Sequence, residues 1–216
     1  MAGIPYSVGK SIDDFLVGDL EGAMLHACNA VDGTARRSYV DFKDGNKARF
    51  TKLLRENYDI LRPMSFPGLD IEKIRWAVKL SSKQKSNEWP DTADIIYCVH
   101  RCAHGHGDDL PEGFELIPDA LTDNKEKTTF HIEPGKVRIS DRTIFGLLAI
   151  AVLSPVNSEL KTKPGHWLSL REHQFLINEW WGRKNEFLAV AVKYDELRVN
   201  LDLGNWFNSL ETSSSK

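Results

Sequence analysis

The apolar segment IFGLLAIAVL, at residues 144–153, constrains the fold of this chain more than any other stretch. Ten apolar residues make a helix too short to cross a hydrocarbon layer of about 30 Å. Ser140 or Asp141 stands before the segment as an N-cap, and apolar side chains follow on nearly every side of the helix. Because such a helix has no wide polar face, we predict that it is the most buried element of the fold.

The N-terminal third of the chain predicts two helices. Apolar residues recur at helical spacing over residues 12–39, which indicates one long amphipathic helix capped by Ser11. The sequence DFKDGN at residues 41–46 breaks this pattern. A second helix is therefore predicted over about residues 47–58.

Prolines and glycines separate two further predicted helices from the first two. Pro63 and the FPG sequence at residues 66–68 mark a break, and Asp70 follows as the cap of a third helix. A fourth helix is predicted to begin near Pro90 or Asp91, because proline suits the first turn and acidic residues favour the positive end. The segments together predict a mainly α fold, a helical bundle.

The C-terminal half adds strands and a last helix. Alternating apolar and polar residues predict strands at residues 114–118, 128–133 and 136–140, and a hairpin near 166–182 that turns at 171–173. A Pro-Gly pair at 134–135 joins two of these strands as a second hairpin. The sequence at 183–197 has the spacing of a C-terminal helix.

Composition limits the classes of function. The net charge of -3 provides no global attraction to nucleic acid or anionic membranes, so a polyanion would have to meet a local basic patch. The three cysteines at unrelated spacings argue for a reducing compartment. The N-terminus lacks the basic start and apolar run of a signal peptide. We therefore expect a cytoplasmic protein without a membrane partner.

The densest chemical cluster is YCVHRCAHGHGDDL, at residues 97–110. His100 and His104 are four residues apart, as are Cys98 and Cys102, so each pair could chelate a metal from one helix face. The two pairs lie on different faces, however, since Cys98 and His100 differ by roughly 200° about a helix axis. Without a CxxC or HExxH motif to support it, a metal site is disfavoured, and no cofactor is expected.

Acid and base chemistry without a metal is the alternative for this cluster. Arg101 and His106 are separated by four residues, and Gly105 allows the histidine to turn at the end of the helix. A permanent cation beside an imidazole suits phosphodiesters, because the first stabilises charge on phosphorus and the second moves a proton. RNA supplies its own nucleophile, the 2′-hydroxyl.

The segment ADIIYCVHRCAHGHGDDL, with its arginine, four intervening residues and a histidine at a helix exit, resembles the R-x(4 to 6)-H motif of HEPN-domain ribonucleases. The long helix FLVGDLEGAMLHACNAVDGTARRSY is similar in layout to the helices that precede that motif. The resemblance covers roughly residues 10–110 and the helix near 141–154. It implies a homodimer that cuts RNA without a metal and leaves a cyclic phosphate, as in toxin-antitoxin pairs and antiviral defence.

The resemblance also implies roles for individual residues. Arg101 would bind and polarise the scissile phosphate, and His106 would be the general acid or base. His104, three residues after the arginine, is a rival for that role because it could form a local pair with Arg101. An antitoxin or a defence protein would be the expected partner, and a non-catalytic HEPN-like module that binds RNA or protein is the alternative function.

Three neighbours of the motif are expected to support it. Asp94 falls on nearly the same helix face as Arg101 and could orient the guanidinium, although helix capping also explains it. Tyr97 could stack or hydrogen bond there, or simply pack in the core. Cys102 follows the arginine directly, at a position where the family often has a polar residue.

The expected domain organisation follows the same resemblance. Residues 10–160 would form a HEPN-like bundle with a β-hairpin insertion near 112–140. Residues 161–210 would add a hairpin and a helix that pack on the same domain.

A basic stretch lies on the predicted third helix and beyond it. It is the best candidate for a strip that faces RNA, although a solvated helix face is the simpler explanation of surface lysines. Its members are Arg75, Lys79, Lys83 and Lys85.

Overall fold

The computed structural model describes residues 3–76, 78, 80, 89–98, 114–121, 128, 129, 131–133 and 136–194. The helices are α1 (Ile4–Leu16), α2 (Leu20–Ser38), α3 (Gly45–Arg55), α4 (Tyr58–Ser65), α5 (Thr92–Cys98), α6 (Arg142–Leu153), α7 (Ile177–Trp180) and α8 (Lys184–Ala191). The strands are β1 (Phe114–Ile117), β2 (His131–Glu133), β3 (Lys136–Ser140), β4 (Trp167–Leu170) and β5 (His173–Leu176). The prediction of a mainly α fold is confirmed.

Helix α6 lies at the centre of the core, as predicted from its all-round apolar sequence. Residues 146–153 are all buried, and the helix packs against α1, α2, α4 and α7. Side chains from the C-terminal hairpin and α8, including Leu168, Phe175 and Phe187, belong to the same hydrophobic cluster. No helix within the described ranges is long and apolar enough to span a membrane.

The predicted single helix over residues 12–39 is wrong, because the chain forms two helices there. Helix α1 ends at Leu16, and Gly18 takes a left-handed backbone conformation with φ of 82°. The Asp19 carboxylate then caps α2 by accepting the N–H of Gly22 at 2.9 Å. Both helices bury an apolar face, so the spacing of apolar residues continues through the break and hides it.

The helix predicted from Asp70 is also wrong. Residues 71–73 form a turn, and residues 74–76 have no regular secondary structure. The N–H of Trp76 donates to the carbonyl of Pro90 at 2.9 Å, a bond that this segment makes with the chain ahead of α5. Ile74 and Trp76 are buried all the same, so their apolar character reflects core packing and not a helical face.

Two helices occupy the region where one was predicted over about residues 47–58, and the second of them continues beyond that range. Helix α3 ends at Arg55, and α4 begins at Tyr58 and includes Pro63, which the sequence suggested as a break. Burial of Ile60, Leu61 and Met64 on the inner face of α4 explains why the helix continues past the proline.

The strand predictions are largely confirmed. Strands β2 and β3 pair antiparallel, as expected for a hairpin, and β1 adds a parallel partner that the sequence did not indicate, in the order β1-β3-β2. Strands β4 and β5 form the hairpin predicted near 166–182, with Arg171 and Glu172 at its turn. Its second strand ends at Leu176, earlier than predicted, because residues 177–180 form α7. Helix α8 and a 3-10 turn at Val192–Tyr194 lie within the predicted C-terminal helix.

Candidate functional site

Helix α5, which leads into the histidine-rich segment, is fixed at its first turn. The Asp91 carboxylate accepts the N–H of Asp94 at 2.9 Å, as an N-cap does. The N–H of Ala93 donates to the Tyr58 hydroxyl at 3.2 Å, and the indole of Trp76 donates to the Thr92 hydroxyl at 3.2 Å. Its inner residues Thr92, Ala93, Ile95 and Ile96 are buried. The first turn of α5 is therefore anchored to α4 through Tyr58 and to the segment that contains Trp76.

An ion network ties the start of α5 to α3. The Arg55 guanidinium donates to both Asp91 oxygens, at 2.7 and 3.2 Å, and to Asp94 at 3.1 Å, while the Lys47 ammonium lies 3.3 Å from Asp94. Burial acts to raise the pKa of the Asp91 carboxyl, but the hydrogen bonds from Arg55 and from the Asp94 N–H outweigh it and lower that pKa. The carboxylates of Asp91 and Asp94 therefore each have a basic partner.

The predicted catalytic residues Arg101, His104 and His106, with Cys102, lie outside the described residues. Of their predicted supporters, Asp94 contacts Arg55 and Lys47 as above. The Tyr97 ring packs edge-on against Phe50, with 5.3 Å between the ring centroids. The packing explanation of Tyr97 thus has a described contact. The capping explanation of Asp94 does not, because Asp91 is the residue that caps α5 and the Asp94 carboxylate pairs with Arg55 and Lys47.

The predicted RNA-facing strip is described at Arg75 only, since Lys79, Lys83 and Lys85 lie outside the described residues. Arg75 is exposed, and its guanidinium donates to the carbonyls of Glu72 and Ile74 at 2.9 and 2.8 Å. Because residues 71–76 are not helical, Arg75 does not belong to a helix face.

Within the described ranges, no group of three His, Cys, Asp or Glu side chains could hold a metal ion. The cysteine and histidine pairs considered for chelation extend beyond those ranges, because only Cys98 of the four is described.

A cleft that sequence reasoning missed lies between α4, the start of α6 and the turn of the β4–β5 hairpin. Arg62, Arg142 and Arg171, one from each of these elements, line a cavity of about 420 Å³, which we call the arginine cleft. Its wall also includes Pro63, Pro67, Leu170, Glu172 and Tyr194. No motif marks these residues, because they are distant in sequence and only the fold assembles them.

Hydrogen bonds order one side of the arginine cleft. The Tyr194 hydroxyl donates to the Glu172 carboxylate at 2.5 Å and lies 2.6 Å from Nδ1 of His173. The hydroxyl bond from Tyr194 lowers the pKa of Glu172, and the carboxylate in turn raises the pKa of Tyr194. The Arg171 guanidinium lies 5.4 Å from the centre of the Tyr194 ring, within the range of a cation–π contact.

A second cavity, of about 430 Å³, lies between α1 and residues 161–163. Lys10, Lys161 and Lys163 line it together with Asp13. Asp13 pairs with His166 at 3.0 Å, and Lys10 pairs with Asp14. Carboxylates therefore offset much of the positive charge around this cavity.

Comparison with known proteins finds relatives across nearly the whole chain. A family model described as Rv1289 matches residues 3–207. The uncharacterized protein Rv1289 of Mycobacterium tuberculosis and the uncharacterized protein Mb1320 of Mycobacterium bovis are each 38% identical over 186 residues, which is 86% of this chain and 86% of the relative. No solved structure matches.

Proposed function

The chain belongs to the Rv1289 family, and for this member we propose the function of a metal-independent endoribonuclease of the HEPN type. The observation that carries the proposal is the anchoring of α5. Contacts from Arg55, Tyr58 and Trp76 hold its first turn, and its last described residue, Cys98, is three positions before Arg101. A fixed helix that leads into an arginine and a histidine is what positioned acid-base chemistry requires.

The charge at the start of α5 also suits a phosphodiester substrate. Asp91 and Asp94 would repel RNA if their carboxylates were free. Both are partnered, by Arg55 and Lys47, so the repulsion is reduced. In this proposal Asp94 and Tyr97 hold the helix in place, and Arg101 takes its orientation from the substrate phosphate.

The proposed reaction uses only the RNA and the protein. The 2′-hydroxyl loses its proton to His106 or His104 and attacks the adjacent phosphorus, and Arg101 stabilises the charge that builds on the phosphate oxygens. The bond from phosphorus to the 5′-oxygen breaks, and that oxygen takes a proton from a second histidine. The products are a 2′,3′-cyclic phosphate and a 5′-hydroxyl.

The wider proposal follows the family resemblance. Residues 10–160 form the HEPN-like bundle, and two copies pair so that two Arg101 and His106 pairs share one groove. The protein acts in the cytoplasm, within a toxin-antitoxin or antiviral system. Two copies supply the acid and the base that one cleavage needs.

The test is cleavage of RNA by the purified protein in EDTA. We expect His106→Ala and Arg101→Ala each to lower the cleavage rate by about 10²-fold or more, because each removes a group that acts in the transition state. His104→Ala, assayed beside them, shows which histidine carries the proton. His131→Ala, which removes an exposed histidine of β2, is the matched control and should cleave like the wild type.

Two results would contradict the proposal. Undiminished cleavage by both histidine variants would remove the acid-base role from the motif. Binding of RNA or a protein without cleavage of several RNAs would favour the non-catalytic module instead.

A further inference from the structure

We infer that the arginine cleft binds a small organic phosphate monoester. The inference is independent of RNA cleavage, since it concerns residues of α4, α6 and the β4–β5 hairpin. Three guanidinium groups and one carboxylate, Glu172, line the described wall, so positive charge exceeds negative charge by two. A phosphate monoester carries a charge close to -2 at neutral pH.

Arginine is the residue suited to this ligand. Its planar guanidinium presents paired N–H groups that match two oxygens of one phosphate, whereas a lysine acts as a point charge. The arginines of the cleft come from three elements, so they approach a ligand from different directions. The lysine-lined cavity beside α1 has no such geometry and contains Asp13.

Arg142 has donor capacity to spare. Its Nη2 makes a long bond of 3.4 Å to the carbonyl of Asp119, and its Nε is buried without a hydrogen-bond partner among the described residues. A guanidinium has five N–H donors, so this single long bond leaves Arg142 able to donate to a ligand oxygen in the cleft.

Arg171 occupies a strained position that favours the same conclusion. Its φ of 52° is a left-handed conformation, which costs a residue with a Cβ atom stability and suits glycine or asparagine. Backbone strain of this kind clusters at binding sites, where the side chain is needed. Here the strained turn holds the guanidinium beside the Tyr194 ring at the cleft wall.

The size and the walls of the cleft indicate a small organic molecule. A volume of about 420 Å³ lies within the range of small-ligand sites. Pro63, Pro67 and Leu170 contribute apolar surface, which inorganic phosphate would leave unused. We therefore expect an organic group on the phosphate to add affinity.

The test is calorimetric titration of the full chain with phenyl phosphate, inorganic phosphate and phenol. Phenyl phosphate should bind more tightly than inorganic phosphate, and phenol should not bind measurably. Arg62→Ala and Arg142→Ala should each weaken the binding of phenyl phosphate about tenfold or more, because each removes a charge-assisted hydrogen bond. Arg37→Ala, at an exposed position of α2, is the matched control and should bind like the wild type.

The Arg171→Gly variant distinguishes a loss of phenyl phosphate binding from a loss of stability. This variant should raise the midpoint of thermal unfolding, because glycine adopts the left-handed conformation freely, and it should still weaken phenyl phosphate binding about tenfold or more. Unchanged affinity in both Arg62→Ala and Arg171→Gly would overturn the inference, as would the absence of phenyl phosphate binding at millimolar concentration. Cleavage of RNA is not a readout here, so failure of either proposal is recognised separately.

Discussion

The buried carboxyl of Asp141 is the clearest case of a single residue under electrostatic strain. Its side chain is fully buried at the start of α6, where Oδ1 accepts the N–H of Ala120 at 2.7 Å and Oδ2 has no hydrogen-bond partner in the described part of the chain. Burial raises the pKa of Asp141, and the neighbouring Asp119 adds to the rise, against the N–H of Ala120 and the charge of Arg142. The ionised form is therefore disfavoured in the folded state.

Asp141→Asn should raise the free energy of unfolding near neutral pH, because asparagine keeps an acceptor for Ala120 and carries no charge. A raised pKa in the folded state means that Asp141 stabilises the fold below its unfolded pKa and that this contribution is lost as pH rises through the folded value. The advantage of the variant should thus shrink on acidification. Urea unfolding of the wild type and the variant between about pH 4 and 8 measures the difference in their free energies of unfolding. A difference that does not change with pH would contradict this prediction.

The exposed Asp41 offers the matched control for this measurement. Asp41→Asn changes the same functional group outside the core. We expect its effect on the free energy of unfolding to stay within about 0.5 kcal/mol.

At the scale of elements, α5 depends on long-range partners to a degree that its own sequence does not reveal. The helix has seven residues, too few to be stable alone. The start near Pro90 or Asp91 was predicted correctly from local signals, the proline and the acidic first turn. Arg55 and Trp76, which hold that start, are remote in sequence and had no signal pointing to α5.

Asp91→Ala should lower the free energy of unfolding by about 1–2 kcal/mol, because it removes an N-cap as well as the partner of Arg55. Lys47→Ala, which removes an exposed partner of Asp94, is the comparison and should cost under about 1 kcal/mol. Hydrogen exchange of the α5 amides together with urea unfolding checks the difference. Equal costs for the two variants would show that the cap does not hold the helix.

The pKa of Asp91 gives the same element a pH dependence. A lowered pKa in the folded state means that the stabilisation is present above the unfolded pKa and is lost as pH falls through the folded value. Protection of the α5 amides should therefore decline in acid in the wild type.

The secondary structure of an element was predictable where its own sequence pattern specifies it. It was not predictable where contacts with distant parts of the chain decide it. The all-round apolar sequence of α6 and the alternation in β4 and β5 each specify one structure. The break at Gly18 was hidden because apolar spacing runs through it, and residues 71–76 follow tertiary bonds instead of a helical period.

At the scale of the whole molecule, α4 and α6 approach each other so closely that position 146 has no room for a side chain. A Cβ atom at Gly146 would overlap the Ser65 hydroxyl and lie 2.8 Å from Cδ1 of Leu61. The Ser65 hydroxyl itself donates to the carbonyl of Arg142 at 3.1 Å, across the same contact.

Gly146→Ala should lower the free energy of unfolding by about 1–3 kcal/mol, despite the better helix propensity of alanine, because the added methyl group overpacks the contact. The cost should be smaller in a Ser65→Ala background, where the hydroxyl is absent. Gly3→Ala, where the added Cβ meets only Pro5 at 3.7 Å, is the control. Thermal and urea unfolding of Gly146→Ala, Ser65→Ala, the double variant and Gly3→Ala measure the coupling between positions 65 and 146. If the free-energy costs of Gly146→Ala and Ser65→Ala simply add in the double variant, the prediction is contradicted.

The two candidate sites differ in how far the sequence could predict them. Arg101 and His106 are close in sequence, so a motif could be predicted from them, and it stays a prediction because both residues lie outside the described ranges. The arginine cleft draws Arg62, Arg142 and Arg171 from three elements, and no pattern in the sequence connects them. The hairpin turn was predicted near Arg171, but its place beside α4 and α6 follows only from packing.

The central position of α6 has a consequence for synthesis on the ribosome. Residues 142–153 are translated after all of α1, α2 and α4. Until then the faces of α1, α2 and α4 that α6 covers lack their partner, and exposed apolar surface of this kind favours aggregation. The N-terminal helices can be synthesised early, but their shared core lacks its central helix until translation has passed residue 153.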